Sequence, residues 1–314
     1  MSWTTRDLPD LRGRIAVVTG ANGGLGLETT RALAAHGATV VMAARDQGKA
    51  EQASAAVLAE VPDAALELVP LDLGDLASVA EAAEHIGASH ERVDLLINNA
   101  GLMAQPERLT ADGFEMQFGV NHLGHWALTA GLRPALVRAD AARVVTVTST
   151  AHHMGRRVDP RNPHLAGSYG PWKAYGQAKL ANLHFALGLQ REFEDAGLPA
   201  RSLAAHPGLA QTDLQARSVR EHGGPLTHFF ERLQQRTGMS AAEGALPQLR
   251  AATDPDAPGG GFYGPLWGNN GPPVRKPVLR VVGLDRAIRV LWAVSERETG
   301  IALDVAGAAA RHRS

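Results

Sequence analysis

Residues 168–182, SYGPWKAYGQAKLAN, set a tyrosine four positions ahead of a lysine twice over: Tyr169 with Lys173, and Tyr175 with Lys179. A phenol has an ordinary pKa of about 10, too high for acid–base work at neutrality. An ammonium beside it favours the phenolate, so a Tyr and a Lys held together are candidates for passing a proton to a carbonyl oxygen or taking one from an alcohol. Residues four apart share a face only if the segment between them is helical. Gly170 and Pro171 lie between the first pair, and proline is welcome in the first turn of a helix but not in its interior. The helix therefore starts near Pro171, Tyr169 is left in the loop before it, and Tyr175 and Lys179 occupy successive turns of one face. A ring packed beneath a snorkelling amine produces the same spacing, so the pair carries weight only in company.

A second candidate is TGANGGLG, Thr19–Gly26, which joins an apolar run to a helical pattern. Glycines there let the backbone turn sharply and approach a pyrophosphate, whose charge the free amides of the following helix would receive. Gly20, Gly24 and Gly26 follow T-G-x-x-x-G-x-G rather than the commoner G-x-G-x-x-G. Arg45 stands at the end of the second apolar run. An arginine at that tip attracts a 2'-phosphate where a carboxylate would repel it, which favours NADP(H) over NAD(H); a solvated arginine beside Asp46 is the plainer alternative. Asp72 and Asp75 precede a helical stretch and could both be caps. Ser149 could simply end a strand, and with His152 it forms no hydrolase signature, since the G-x-S-x-G elbow is missing. His152, His153 and His184 lack the spaced partners of a zinc site.

These residues must be positioned by alternating elements. Short β-branched runs recur at Ile15 to Thr19, Thr39 to Ala43, Leu66 to Val69, Leu95 to Ile97, Val144 to Thr148 and Arg201 to Ala205. Helical periodicity fills the gaps: Gly26 to His36, Gln47 to Glu60, Leu76 to Ser89, Phe114 to Val137 and Trp172 to Glu194. Strands alternating with helices require a parallel sheet with right-handed crossovers. The fold class expected is α/β, a Rossmann-type doubly wound parallel sheet with helices on both faces, in a single domain spanning residues 1–314. The core would cover about 11–250, a small helical lid 209–240 and an extension 251–314, with loop composition over 254–274 and a frayed tail, AGAAARHRS.

Composition narrows the function. With 31 basic and 32 acidic side chains the net charge is -1, so no global field draws the chain to nucleic acid. Cysteine is absent, which excludes disulfides, thiolate zinc sites and a cysteine nucleophile. No signal peptide and no integral membrane segment is evident, and a cytoplasmic location is expected.

The motifs together resemble those of the short-chain dehydrogenase/reductase family. TGANGGLG matches its glycine motif; Asn98-Asn99-Ala100-Gly101, Asn121 in GVNHLGH, Ser149, Tyr175 with Lys179, and His206-Pro207-Gly208 follow in the family's order. VTSTAHHMG, AYGQAKLAN and HPGLAQTDL are most similar to the retinol-dehydrogenase-like branch. The resemblance implies a dinucleotide held by Gly20, Asn22, Gly24, Leu25 and Gly26, with Arg45 at the ribose, Asp72 and Leu73 at the adenine, and Asn99, Ala100 and Gly101 under the adenosine half. Pro207 and Gly208 would also bind the cofactor, and Thr212 would hold the carboxamide of its nicotinamide. It implies Tyr175 as the acid/base, Lys179 together with the positive nicotinamide of the oxidised cofactor lowering the Tyr175 pKa, Lys179 also holding the ribose, Ser149 bonding the substrate oxygen, and Asn121 bending its helix and holding a relay water.

The function expected is NADP(H)-dependent hydride transfer to or from a hydrophobic ketone, aldehyde or secondary alcohol. Leu102, Met103, Ala104, Thr150, His153, Met154 and the lid would line the pocket. Reduction of a conjugated carbon–carbon double bond, as in protochlorophyllide reductases, and a dinucleotide sensor without turnover are the alternatives. By the same resemblance, a homodimer or homotetramer would pair through the helices Phe114 to Val137 and Trp172 to Glu194.

Overall fold

Runs of Val, Ile, Leu and Ala with no polar face can be strands only where both faces are covered. The computed structural model, which describes residues 2–210, 238–279 and 281–313, bears this out. Strands β1 (Ile15–Thr19), β2 (Thr39–Ala44), β4 (Leu95–Asn98), β5 (Arg143–Val147) and β6 (Arg201–Ala205) are buried along almost their whole length. With β3 (Leu66–Pro70), β7 (Phe262–Pro265) and β8 (Pro273–Lys276) they form an eight-stranded sheet in the order β3-β2-β1-β4-β5-β6-β7-β8. All neighbours are parallel except β7 and β8. The direction of winding reverses between β1, which pairs Val18 with Met42 of β2, and β4, which pairs Ile97 with the same Val18. In open α/β sheets the crevice beyond such a switch point receives the ligand.

Helices cover both faces. On one side α1 (Gly24–Ala35), α2 (Gln47–Glu60) and α6 (Ala241–Thr253) contribute Leu33, Val57 and Leu249 to one core. On the other, α3 (Leu76–Ser89), α4 (Gly124–Arg138) and α5 (Pro171–Asp195) contribute Ile86, Leu128 and Phe185 to a second. Helix α5 carries its proline in the first turn, as the sequence requires.

Three expectations change. Residues 254–274 are not all loop: Phe262–Pro265 continues the parallel sheet beside β6 and Pro273–Lys276 closes its edge, a hairpin whose proline and glycine content hid it. The expected single helix from Phe114 is instead a turn at Met116–Phe118 and a π-helical stretch, Gly119–Leu123, leading into α4. The tail is a helix, α8 (Val305–Arg313), whose Ala308 and Ala309 are buried. It follows α7 (Leu284–Thr299), and the two lie on the outer face of α4 and α5. The Trp292 ring meets those of Trp126 at 5.2 Å and Phe185 at 5.8 Å, and a Cβ on Gly188 would stand 2.3 Å from it. That docking depends on partners more than a hundred residues away, which no local pattern announces. Thr212 and most of the expected lid lie outside the described residues; at its flanks Ala210 bridges to Met239. Among the described residues no helix is long and apolar enough to cross a membrane, and no cluster of metal-ligating side chains occurs.

Candidate active site

The glycine turn sits at the carboxyl end of β1, beside the switch point. Gly20 and Gly24 have φ of +65° and +51°, the left-handed region that favours glycine. Gly26 is required by space: a Cβ there would lie 2.1 Å from the Gly20 carbonyl oxygen and 2.7 Å from Asn99 Nδ2. The N-cap of α1 is Gly23, and no side chain among the described residues caps the first amides, so they are available to an anion. Asn22 reaches the Asp46 carbonyl at 3.4 Å, tying the turn to the end of β2. At that end Arg45, well exposed, lies 3.7 Å from the Asp72 carboxylate. Asp72 also accepts from the Gly74 amide at 2.9 Å, while it is Asp75 that caps α3. Leu73 is buried, with its carbonyl against Gly124 of α4. Cradle and amides together fit a dinucleotide, with Arg45 exposed beside the end of β2.

The catalytic candidates converge at the ends of β4 and β5. Tyr175 and Lys179 are both buried on one face of α5, the amine 5.8 Å from the ring centroid. Lys179 Nζ donates to the Val147 carbonyl at 3.1 Å. Gly155 and Gly176 let the turn after Ser149 press against α5, since a Cβ on Gly155 would stand 2.1 Å from the Gly176 carbonyl oxygen. Ser149 hydrogen-bonds Tyr175, which lowers the phenol pKa. Burial outweighs it and pushes the phenol up to about 12, while burial brings Lys179 down to about 8. Among the protein's own groups desolvation of the phenolate dominates; the expected lowering of the Tyr175 pKa calls on the positive nicotinamide of the oxidised cofactor together with the ammonium. Tyr169, by contrast, donates to the Gln105 carbonyl at 2.6 Å and accepts from Gln117, and Lys173 is turned back to Ser168. Those are loop-fastening roles.

Asn121 lies in the π-helical stretch with both side-chain atoms committed to Leu102: Oδ1 accepts from its amide at 2.6 Å and Nδ2 donates to its carbonyl at 2.9 Å. A Cβ on Gly101 would meet Asn121 Oδ1 at 3.0 Å and Lys179 Nζ at 3.4 Å, so the loop after β4 threads between them. In that loop Met103 is half-buried and Ala104 buried with φ +47°, while beyond Thr150 the side chains of His153 and Met154 are exposed. Gly208, at φ +69°, packs after Pro207 against the Asn269 carbonyl of the β7–β8 turn.

A family model described as short chain dehydrogenase matches residues 14–223. The chain belongs to the short-chain dehydrogenase family. Mouse polyprenol dehydrogenase is 40% identical over 262 residues, 82% of this chain and 76% of the relative. Mouse retinol dehydrogenase 12 is 38% identical over 246 residues, covering 77% of this chain and 74% of that one. The crystal structure of an uncharacterized protein from Mycobacterium paratuberculosis superposes with a TM-score of 0.79 at 40% identity, over 96% of this chain and 99% of that one. This short-chain dehydrogenase is therefore an NAD(P)-dependent oxidoreductase of the retinol-dehydrogenase-like branch.

Several residues that organise the site escape a reading of motifs. Thr19 is fully buried, and its hydroxyl accepts from the amides of Asn99 at 2.9 Å and Ala100 at 3.0 Å. Asn99 Nδ2 donates to the Thr19 carbonyl at 2.8 Å, and Gln248 of α6 donates to Asn99 Oδ1 at 3.2 Å. The Thr of T-G-x-x-x-G-x-G was visible as a signal; Gln248, some 150 residues from Asn99, was not.

Proposed function

We propose that this short-chain dehydrogenase is NADP(H)-dependent and interconverts a hydrophobic ketone or aldehyde with its alcohol, Tyr175 acting as acid and base. The observation that carries the reading is a buried phenol hydrogen-bonded to Ser149 with the Lys179 amine against its ring. The nicotinamide supplies or accepts the hydride. Ser149 orients the substrate oxygen toward Tyr175, a positional and electrostatic role. Tyr175 gives its proton to that oxygen in reduction and takes it back in oxidation. Lys179, desolvated but still largely protonated at neutral pH with a pKa of about 8, offers its charge to the developing phenolate and its donors to the ribose. Asn121, anchored to Leu102, keeps the loop after β4 beneath the cofactor.

Arg45 supports the preference for the 2'-phosphate, because its guanidinium is exposed and its contact with the Asp72 carboxylate is long. The names of the relatives, dehydrogenases of polyprenol and retinol, support an apolar alcohol or carbonyl substrate. A cytoplasmic setting belongs to the same proposal and agrees with the cysteine-free composition. For the assembly, a homodimer or homotetramer belongs to the same proposal; α7 and α8 pack on α4 and α5, so an interface on that side would include them.

The test is incubation with NADPH and a panel of hydrophobic ketones and aldehydes, followed by loss of reduced-nicotinamide absorbance. Tyr175→Phe is expected to reduce turnover by about 10²- to 10⁴-fold with cofactor affinity retained. Turnover equal to that of the unmodified protein would sink the assignment.

A further inference from the structure

His125 lies on the first turn of α4, is 1% exposed and belongs to neither the glycine cradle nor the Ser149–Tyr175–Lys179 group. Its two ring nitrogens nevertheless touch Thr19, at the head of the cradle, and Asn121, in the π-helical stretch. Nδ1 lies 3.0 Å from the main-chain carbonyl oxygen of Asn121, and Nε2 lies 2.9 Å from Thr19 Oγ1. Thr19 Oγ1 in turn accepts from the Asn99 and Ala100 amides. The path runs from the cofactor loop through one hydroxyl and one imidazole to the carbonyl of Asn121.

The protons along it have a single consistent order. A carbonyl only accepts, so Nδ1 carries the ring hydrogen. Burial, with the Lys179 charge nearby, brings the His125 pKa down to about 4, so the ring is neutral at working pH and Nε2 is an acceptor. The Thr19 hydroxyl therefore donates to Nε2; its other acceptor, the Ile97 carbonyl, is farther away at 3.3 Å. Both lone pairs of that hydroxyl then face the amides of Asn99 and Ala100. Every group is satisfied, and reversing the ring would leave the Asn121 carbonyl and Nδ1 opposed as two acceptors.

We propose that His125 is a positioning residue that couples the nucleotide cradle to Asn121, holding the cofactor loop through Thr19 with one nitrogen and the π-helical turn of Asn121 with the other. It works through neighbours and touches neither cofactor nor substrate. The role rests on the reading of the cradle and Asn121 as one working site. It predicts a division of labour between the two nitrogens that a merely space-filling ring would not have.

Two amide side chains separate the halves, because asparagine places its amide nitrogen, a donor, where Nδ1 stands, and glutamine can turn its amide oxygen, an acceptor, to where Nε2 stands. His125→Gln is expected to lose about tenfold in kcat and less than about threefold in NADPH affinity; His125→Asn is expected to show the reverse. Affinity is read by titration with NADPH alone. Equal losses of both parameters in both variants would overturn the coupling. Should either variant fold poorly, the unmodified protein still decides: nitrogen-15 spectra of its histidine rings must show, for His125, a protonated Nδ1 and a bare Nε2 from about pH 6 to 8. The opposite tautomer overturns the proposal. Failure of the unmodified protein to bind NADPH or NADH would instead refute the dinucleotide reading itself.

Discussion

Gly26→Ala puts the cradle under the sharpest test. The added Cβ would stand 2.1 Å from the carbonyl oxygen of Gly20, 2.8 Å from its carbonyl carbon and 2.7 Å from Asn99 Nδ2, where ordinary contact begins at 3.4 Å. Two of the three atoms are backbone of the very turn that must face the phosphates, and neither can swing aside as a side chain would. Either the turn opens by about 1 Å or α1 retreats from the sheet. Overpacking of this order costs about 1–3 kcal/mol, which corresponds to a rise in Kd of about 5- to 150-fold if the turn absorbs it. Titration with NADPH measures that share, and the unfolding midpoint measures the share taken by the fold. Gly23→Ala makes the same chemical change three positions earlier, where φ is 176° and, among the described residues beyond its chain neighbours, nothing lies within 4 Å of the added Cβ, so its effect on both should be far smaller. Gly26→Ala with wild-type affinity and an unchanged midpoint, or Gly23→Ala losing as much, would refute the reasoning.

The pH dependence of stability follows from the buried pair. Lys179 titrates at about 8 in the folded chain against an ordinary 10.5, so between those values the unfolded chain holds more protons and stability rises with pH. Tyr175 acts oppositely: raised from 10.0 to about 12, it keeps its proton longer in the folded chain, and stability falls through that range. Lys179→Met should remove the rise and stabilise the protein at neutral pH by up to about 3 kcal/mol while abolishing turnover, as urea denaturation across pH would show; a slope that survives the substitution contradicts the desolvated amine. Arg45→Ala should weaken NADPH binding about tenfold or more and NADH binding less than about twofold, with stability within about 0.5 kcal/mol because the Asp72 contact is long and exposed. Equal losses for the two cofactors would exclude a 2'-phosphate contact.

Much of this site was legible because its motifs are local. Pro171 alone decides that Tyr175 and not Tyr169 shares a helix face with a lysine, and α5 begins at that proline. The spacing of Gly20, Gly24 and Gly26 reports a backbone conformation, and two of the three do take positive φ. What was missed depends on partners distant in the chain. The hairpin Phe262–Pro265 and Pro273–Lys276 was hidden by its prolines and glycines, and the alanine-rich tail showed no amphipathic stripe strong enough to announce α8.

By itself, then, the order of apolar runs and helical periods determined the doubly wound sheet, and short-range spacing determined which residues stand at its carboxyl edge. Only the tertiary structure decided their electrostatics and their couplings. The phenol of Tyr175 is harder to ionise than the adjacent amine suggested, because desolvation is set by everything packed around a group and not by its neighbours in the chain. His125 gained its two partners in the same way: one is a turn away in sequence, the other 106 residues away, and a hydrogen bond of 2.9 Å exists only where the whole sheet brings them together.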